Sequence, residues 1–200
     1  MNSERIEKAK NIFITKGPIL KTSTLNRNRL SSRDISELVN LRVIEKLKTG
    51  YYLFKENSYD ISDIDIVSSI IPEGVISMFS AAEYYDLTTV IPTSVNITVS
   101  KTGELPVLPK YPPVHIHRTA QKFYGIGITE IFIQNGKILI YDKERTVCDF
   151  FRMRNKYGND IAFEVFRNYM AGKKNIQKLL EYAGQLRIRS VIKPYIEVLI

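Results

Sequence analysis

The residues most suited to chemistry are basic and hydrogen-bonding side chains in a short amphipathic segment, residues 32–41. At about 100° per residue, Arg33, Ser36, Glu37 and Asn40 fall on one side of a helix, opposite its apolar side. In the major groove of DNA, Arg can pair with guanine and Asn with adenine. The segment is therefore a candidate recognition helix, and an ordinary solvent-exposed helix face is the alternative explanation.

The elements predicted around this segment follow the order of a winged helix-turn-helix. A first helix covers residues 3–15, and Thr22 can cap a short second helix. Arg29 lies in a tight break, after which Ser31 or Ser32 can cap the recognition helix. The backbone N–H groups at such a helix start suit a phosphate group.

A β-hairpin is predicted directly after the recognition helix, from strands over residues 43–48 and 51–54. Lys46 and Lys48 are expected on one face of its first strand, where they would contact the phosphate backbone beside the groove. Two helices and a hairpin in this order present one helix to the major groove and a wing to the neighbouring backbone. The complete set of candidate DNA contacts is Lys21, Arg27, Arg29, Ser31, Ser32, Arg33, Ser36, Asn40, Lys46, Lys48 and Tyr51.

The remainder of the chain predicts an α+β domain. Helices are expected over residues 63–71 and 77–85. The alternation in residues 94–100, with similar runs at 114–118, 128–133 and 137–141, then predicts a mostly antiparallel sheet. Helices are expected over residues 142–156, 159–171, 175–186 and from 190 onward. We therefore divide the chain into a winged helix-turn-helix (1–57) and a second domain (58–200), with an antiparallel sheet at about 94–141 and helices at 142–200.

Charge is distributed unevenly along the 200 residues. The net charge is +6 over residues 1–57, −4 over 58–136 and +6 over 137–200, which together give +8. Basic segments at both ends favour a polyanionic partner, and nucleic acid is the simplest one. On the predicted helix from residue 142, Arg145, Arg152 and Lys156 can extend a phosphate-binding surface, meet an acidic protein or simply be solvated.

No catalytic arrangement is visible in the sequence. His115 and His117 share a strand face without a further metal ligand at suitable spacing, and Cys148 looks like a packing residue. Phosphate-binding glycine loops, nucleophile elbows and zinc-protease motifs are missing. We therefore expect a chain that is not an enzyme and has no metal or cofactor. Without an apolar membrane span or a signal peptide, it is expected in the cytoplasm.

Several segments together are similar to those of one known family. They are residues 19–22 (ILKT), 30–33 (LSSR), 50–52 (GYY), 91–99 (IPTSVNITV), 140–149 (IYDKERTVCD) and 179–183 (LLEYA). In this order the chain resembles the AbiEi antitoxins of bacterial abortive-infection systems. The strand at 91–99 and the segment at 140–149 are the specific part of the likeness, because a winged helix alone fits many regulators.

The resemblance implies an antitoxin that is encoded beside a nucleotidyltransferase-like toxin. It implies that the N-terminal winged helix represses the shared promoter by binding inverted repeats in duplex operator DNA, and that the C-terminal domain counteracts the toxin. Residues 142–149 are the part of the chain to which the resemblance assigns an antitoxin role most directly. Within this segment, Glu144 and Arg145 either act on the toxin or hold the domain together. The candidate antitoxin-domain residues are Glu144, Arg145, Asp149, Arg152 and Lys156.

Two other functions are compatible with the same sequence. The chain can be a protein-interaction module that sequesters a toxin directly and has no DNA-binding role. It can also be an enzyme that modifies the toxin or the toxin's substrate, although no catalytic residues identify such a reaction. The sequence leaves open the operator, the toxin's target and the oligomeric state on and off DNA.

Overall fold

The structure is a computed structural model that describes residues 3–56, 61–133 and 136–199, and it has an α+β fold. Its helices are α1 (Ser3–Lys16), α2 (Thr22–Arg27), α3 (Ser32–Asn40), α4 (Asp63–Ile70), α5 (Met78–Tyr84), α6 (Gln121–Tyr124), α7 (Lys143–Arg152), α8 (Arg154–Tyr157), α9 (Asn159–Ala171), α10 (Ile176–Gln185) and α11 (Arg189–Leu199). Its strands are β1 (Ile19–Lys21), β2 (Ile44–Lys48), β3 (Tyr51–Phe54), β4 (Val75–Ile76), β5 (Val95–Ser100), β6 (Val114–Thr119), β7 (Ile128–Ile133) and β8 (Gly136–Tyr141).

The N-terminal part packs α1, α2 and α3 against one face of a three-stranded antiparallel sheet with strand order β1-β3-β2. Phe13 of α1 stacks on Phe54 of β3 with ring centroids 5.5 Å apart, and Leu25 and Leu38 complete the buried centre. The two helices and the hairpin lie where the sequence predicts them. The strand β1 was not predicted; it pairs with β3 and makes the hairpin a three-stranded sheet.

Helices α2 and α3 end in the same way, with an arginine in a left-handed conformation. Arg29 has φ 65° and Arg42 has φ 57°. After each arginine the next residue donates its amide back into the helix, Leu30 to the carbonyl of Leu25 (3.1 Å) and Val43 to that of Leu38 (3.0 Å). This ending turns the chain sharply between α2 and α3.

Three details of the predicted N-terminal part are wrong. Lys21, not Thr22, occupies the N-cap position of α2, and Thr22 is its first helical residue. The helical periodicity of the sequence also predicts that the aliphatic stem of Arg42 lies on the buried face of the recognition helix, whereas Arg42 is exposed and lies beyond the end of α3. Lys46 and Lys48 do not share a strand face, because a β-bulge between them pairs Lys46 with Tyr52 and Lys48 with Tyr51, and consecutive strand residues face opposite sides.

The second sheet has strand order β6-β5-β4-β8-β7 and is mixed, which corrects the antiparallel sheet expected from the sequence. The pairs β4–β5 and β7–β8 are antiparallel, whereas β5–β6 and β4–β8 are parallel. The connection over residues 101–113, about a dozen residues, is long enough to return the chain to the start of the neighbouring strand. Asn135 of the expected Asn-Gly turn lies outside the described residues; the β7–β8 ladder on either side of it is as predicted.

Hydrophobic clusters lie on both sides of this sheet. One contains α4, the apolar side of β5, and Leu47 and Leu53 from the N-terminal hairpin. The other joins α5, α7, α9, α10 and α11. Residues on either side of the predicted boundary at position 57 therefore share one buried cluster. Among the described helices, none is both long and apolar enough to cross a membrane.

Candidate nucleic-acid interface

The N-terminus of α3 is fixed by a capping box. The Ser31 Oγ accepts from the Asp34 amide at 3.2 Å, and the Ser31 amide donates to the Asp34 carboxylate at 2.8 Å. Arg5 of α1 pairs with the same carboxylate at 3.1 Å. The hydrogen bonds from Ser31 hold the pKa of Asp34 below its usual value. The Ser31 side chain therefore caps the helix. Arg5, which no sequence pattern singled out, ties α3 to α1.

The polar side of α3 is open to solvent. Arg33, Ser36 and Asn40 are all exposed, whereas Ile35 and Leu38 on the other side are buried. The Ser36 Oγ donates to the carbonyl of Ser32 at 2.9 Å, so this hydroxyl has its remaining lone pairs available for a partner. The polar groups of Arg33 and Asn40 likewise lie on the exposed side of α3, which no other described part of the chain covers.

The predicted DNA contacts separate into two groups in the structure. Lys21, Tyr51 and Lys48 form a row across β1, β3 and β2, with the Lys21 and Lys48 ammonium groups 5.4 and 4.9 Å from the Tyr51 ring centre. This row is on the sheet face that carries Leu53, which packs toward the second sheet, not on the face that packs against α3. The exposed members of the predicted set are Lys21, Arg27, Arg29, Ser31, Ser32, Arg33, Ser36, Asn40 and Lys46; Lys48 and Tyr51 are half-buried.

Lys48 has a partner within the chain. Its Nζ donates to the carbonyl oxygen of Val107 at 3.2 Å, in the loop between β5 and β6. Burial lowers the pKa of Lys48, and repulsion from Lys21 acts in the same direction, while Glu73 opposes it. Lys48 therefore holds the hairpin against the second sheet, and Lys46, which is exposed on the other face, is the better candidate for a phosphate contact.

Arg145 is almost completely buried, which corrects its expected place on an exposed basic stripe. Its Nε bonds Asp149 at 2.9 Å, its Nη1 donates to the carbonyls of Phe123 (2.7 Å) and Ile126 (2.5 Å), and its guanidinium lies 4.0 Å from the Tyr141 ring centre. Asp149 is buried as well. Arg145 thus connects α7 to α6 and to the turn that follows it before β7. Of the two roles left open for Arg145, holding the domain together fits these contacts.

Gly127 permits this arrangement. It has φ 77°, and a Cβ placed there would lie 2.5 Å from the Cβ of Arg145. Any other residue would therefore collide with α7 and be strained in its backbone.

Glu144 is also buried among partners. It accepts a hydrogen bond from the Tyr169 hydroxyl at 2.9 Å and lies 3.4 Å from the Nζ of Lys178. Lys178 also pairs with Asp142, the N-cap of α7, at 2.9 Å. Burial lowers the pKa of Lys178, but the hydrogen bond to Asp142 and the negative charges of Asp142 and Glu144 together outweigh this effect, and the net change is upward. Glu144 therefore joins α7 to α9 and α10 rather than facing solvent.

The other two candidate residues of the second domain, Arg152 and Lys156, reach the surface. Arg152 bonds the second oxygen of Asp149 at 3.2 Å and lies 5.2 Å from the Phe123 ring centre. Lys156 is exposed and lies 4.8 Å from the ring centre of Tyr157. α7 ends at Arg152, and Lys156 belongs to the separate short helix α8, so the expected single helix over residues 142–156 is interrupted at Met153.

The sheet face next to α7 is polar, which the sequence did not predict. Asn96 and Thr98 of β5 are buried, although their alternation with apolar residues suggested a solvent-facing side. Asn96 bonds the His117 ring at 3.0 Å, and Thr98 donates to the Ser77 hydroxyl at 2.9 Å. Burial lowers the pKa of His117 to about 4, and repulsion from His115 and Lys156 adds to this effect.

Other reactive groups are few in the described part of the chain. Cys148 is buried in the helical cluster, as the sequence predicted, and burial raises the pKa of its thiol. His115 and His117 lie side by side with ring centroids 4.6 Å apart. Within residues 3–56, 61–133 and 136–199, no three His, Cys, Asp or Glu side chains are grouped so that they can hold a metal ion.

No family model and no curated protein matches this chain. The likeness to the AbiEi antitoxins therefore rests on the residues of the sequence alone.

Proposed function

We propose that the chain is an antitoxin of the AbiEi type that represses its own promoter through an N-terminal winged helix-turn-helix. The observation that carries the DNA-binding part is the open polar side of α3. Arg33, Ser36 and Asn40 project from a capped helix whose other side is anchored by Ile35 and Leu38. A recognition helix needs this combination of a rigid base and a free polar surface.

Electrostatics support the same proposal. Arg27 and Arg29 flank the turn that leads into α3, and both are exposed together with Arg33. The first backbone amides of α3 add a partial positive charge at the same end of the helix. The exposed arginines and the helix N-terminus together favour a phosphate near this turn, and the carboxylate of Asp34 in the first turn of α3 is engaged by Ser31 and Arg5.

The antitoxin part of the proposal rests on the resemblance in residues 91–99 and 140–149. Because Glu144, Arg145 and Asp149 are buried among intramolecular partners, their contribution to antagonism would be to shape the domain. Arg152 and Lys156 are the members of the candidate set that a partner can reach.

DNA binding is tested by fluorescence anisotropy with the duplex upstream of the chain's own reading frame and with random duplex of equal length. Arg33→Ala should weaken upstream-DNA binding by about 1–3 kcal/mol, with a smaller effect on random DNA, because a base contact is lost. Lys46→Ala should weaken both duplexes equally and reduce the salt dependence, because a phosphate contact is lost.

The matched control is Arg189→Ala, which removes an exposed arginine at the start of α11. It should bind both duplexes like the parent chain. Equal affinity of the parent, Arg33→Ala and Arg189→Ala for upstream DNA would refute the DNA-binding proposal.

Toxin antagonism is tested by co-expression with the product of the neighbouring reading frame. The parent chain should restore growth, and Arg33→Ala should restore it equally when both proteins are expressed from foreign promoters, because repression and antagonism use different surfaces. The alternative is a protein-interaction module that sequesters the toxin. It would be supported if the chain and the toxin form a stable complex on size-exclusion chromatography and the chain protects the cells but does not bind DNA. Failure of the parent chain to protect would refute the antitoxin part.

A further inference from the structure

A polar cleft lies between the β5–β6 part of the sheet and helices α7 and α8. Its back wall contains Thr98 and His117, and the buried Asn96 holds the His117 ring in place. A sheet face covered by helices is ordinarily apolar, because a buried polar group costs free energy unless a hydrogen-bond partner is provided for it. A polar interior face next to an opening therefore indicates a binding site rather than a packing surface.

The wall opposite the sheet is strongly basic. The cleft has a volume of about 240 Å³, and the residues of α7 and α8 around it include three cationic side chains, Arg145, Arg152 and Lys156, but one carboxylate, Asp149. Asp149 is shared between Arg145 and Arg152. Lys156 has no carboxylate partner among the described residues, and its charge adds to the positive potential of the cleft. An anionic group is the ligand chemistry that this wall favours.

A second lobe continues from the basic cleft and has a different character. It has a volume of about 350 Å³ and shares His115 and Lys156 with the first. Its apolar lining includes Ile91 and Tyr157, with Tyr157 held edge-on by Phe79 at 5.2 Å between ring centroids. A flat ring fits between an aliphatic and an aromatic side chain, and stacking on aromatic side chains is a common way to hold a base.

We propose that the two lobes together bind a nucleoside phosphate, with the phosphate group between Arg152 and Lys156 and the base in the lobe of Ile91 and Tyr157. The same chemistry is offered by a free nucleotide and by the 5′-terminal nucleotide of a single strand.

The test is isothermal titration calorimetry of the full chain. The titrants are the four ribonucleoside 5′-monophosphates, the matching nucleosides, inorganic phosphate, and a short single strand with and without a 5′-phosphate. At least one monophosphate, or the phosphorylated strand, should bind at least about tenfold more tightly than its unphosphorylated counterpart and than inorganic phosphate. Binding of the monophosphate identifies a free nucleotide, and binding of the phosphorylated strand alone identifies a strand end; both support the proposal.

Two exposed residues allow variants that leave the fold intact. Lys156→Ala should weaken the phosphorylated ligand by about tenfold or more and leave the nucleoside unchanged, because a charge-assisted bond to phosphate is lost. Ile91 is 80% exposed, and Ile91→Ser should weaken the nucleoside phosphate and leave inorganic phosphate unchanged. Lys173→Ala, which removes an exposed lysine outside the cleft, is the charge control and should bind like the parent.

Any one of the following results would overturn the proposal. The first is that no nucleoside phosphate or phosphorylated strand binds at millimolar concentration. The second is that inorganic phosphate binds as tightly as the nucleoside phosphates, or that Lys173→Ala loses as much affinity as Lys156→Ala. The third is that Lys156→Ala weakens duplex DNA and has no effect on monophosphates, which would make Lys156 a backbone contact. None of these results depends on whether α3 recognises an operator.

Discussion

Arg145→Ala removes a guanidinium that is 1% exposed and connects three parts of the second domain. The guanidinium bonds Asp149 within α7, the carbonyls of Phe123 and Ile126 before β7, and lies against the ring of Tyr141 at the end of β8. Alanine offers no replacement for any of these contacts. The variant therefore tests whether the residue holds the domain together or acts on a partner.

The magnitude follows from what is left behind. Removing one partner of a buried ion pair costs about 3–5 kcal/mol, because the other charge stays buried and uncompensated. Here Asp149 keeps a bond to the partly exposed Arg152, which reduces the cost, whereas the carbonyls of Phe123 and Ile126 lose a donor, which increases it. We expect a loss of about 4 kcal/mol in the free energy of unfolding, a large part of the roughly 5–15 kcal/mol of a typical domain.

The assay is urea unfolding followed by circular dichroism, with two comparison variants. Arg145→Lys should recover only part of the loss, because an ammonium cannot bond the carboxylate and both carbonyls in the planar geometry of a guanidinium. Arg152→Ala, also on α7 and bonded to the same carboxylate but with a side chain 26% exposed, should cost about 1 kcal/mol or less.

One result would refute this reasoning. If Arg145→Ala unfolds at the same urea concentration as the parent chain, yet no longer protects cells from the toxin, Arg145 acts directly in antagonism. Its observed contacts would then be of little importance for stability.

Three further predictions concern single side chains. Arg29→Gly removes the strain of a left-handed backbone conformation at a non-glycine residue. Thermal unfolding should therefore show equal stability or a gain of up to about 1 kcal/mol, while the affinity for upstream DNA falls. A clear loss of stability would contradict this prediction. The pKa of His117 is about 4 in the folded chain against 6.5 for a free histidine, so the unfolded chain takes up the proton first as pH falls. The contribution of the neutral His117 ring to the free energy of unfolding is therefore complete above about pH 6.5 and is lost as the pH falls toward 4. Between pH 7 and pH 5 the free energy of unfolding of the parent should fall by about 1 kcal/mol more than that of His117→Gln, after allowance for solvent screening. Equal losses in the two proteins would argue against a buried neutral ring. Cys148 should react with a maleimide only after denaturant is added, and rapid labelling of the native chain would show that its surroundings open.

Helix starts could be predicted well because their signals are local. Ser31 caps α3 and Ser62 caps α4, each with an aspartate three residues later in a reciprocal box, and Asp142 and Asn175 cap α7 and α10 with their side chains. In each case a single side chain bonds an amide three residues along the chain, so nothing distant is needed. Most helix bounds therefore agree with the sequence pattern.

Strand pairing was harder to predict because it depends on residues far apart in the chain. β4 consists of Val75 and Ile76 alone, too short for alternation to identify it, yet it lies at the centre of the second sheet. Its antiparallel pairing with β5 and parallel pairing with β8 produce the mixed sheet. The bulge that separates Lys46 from Lys48 has the same origin, because it places Leu47 in the cluster shared with the second sheet.

The burial of Arg145 and Asp149 shows why helical periodicity could not locate the functional surface of the second domain. A helical wheel separates the polar side of α7 from its apolar side, but it does not show which elements pack against either side. Here the apolar side packs in the helical cluster, and the polar side shares a cleft with the buried Thr98 of β5 and with His117 of β6. Both sides of α7 are thus interior. The charged residues on a helix predict a solvent-exposed side only where no polar partners elsewhere in the fold can bury them.

This arrangement links the segment that resembles the AbiEi antitoxins to the polar cleft. Arg145 and Asp149 lie within residues 140–149 and form part of the cleft lining, and Asp149 also positions Arg152 at the cleft through a 3.2 Å bond. A substitution in this segment therefore changes the fold and the shape of the cleft together. Loss of toxin protection in such a variant identifies a contact residue only if its unfolding free energy is unchanged. Lys156 is exposed, and among the described residues its one structural contact is the Tyr157 ring, so a substitution there reports on the cleft alone.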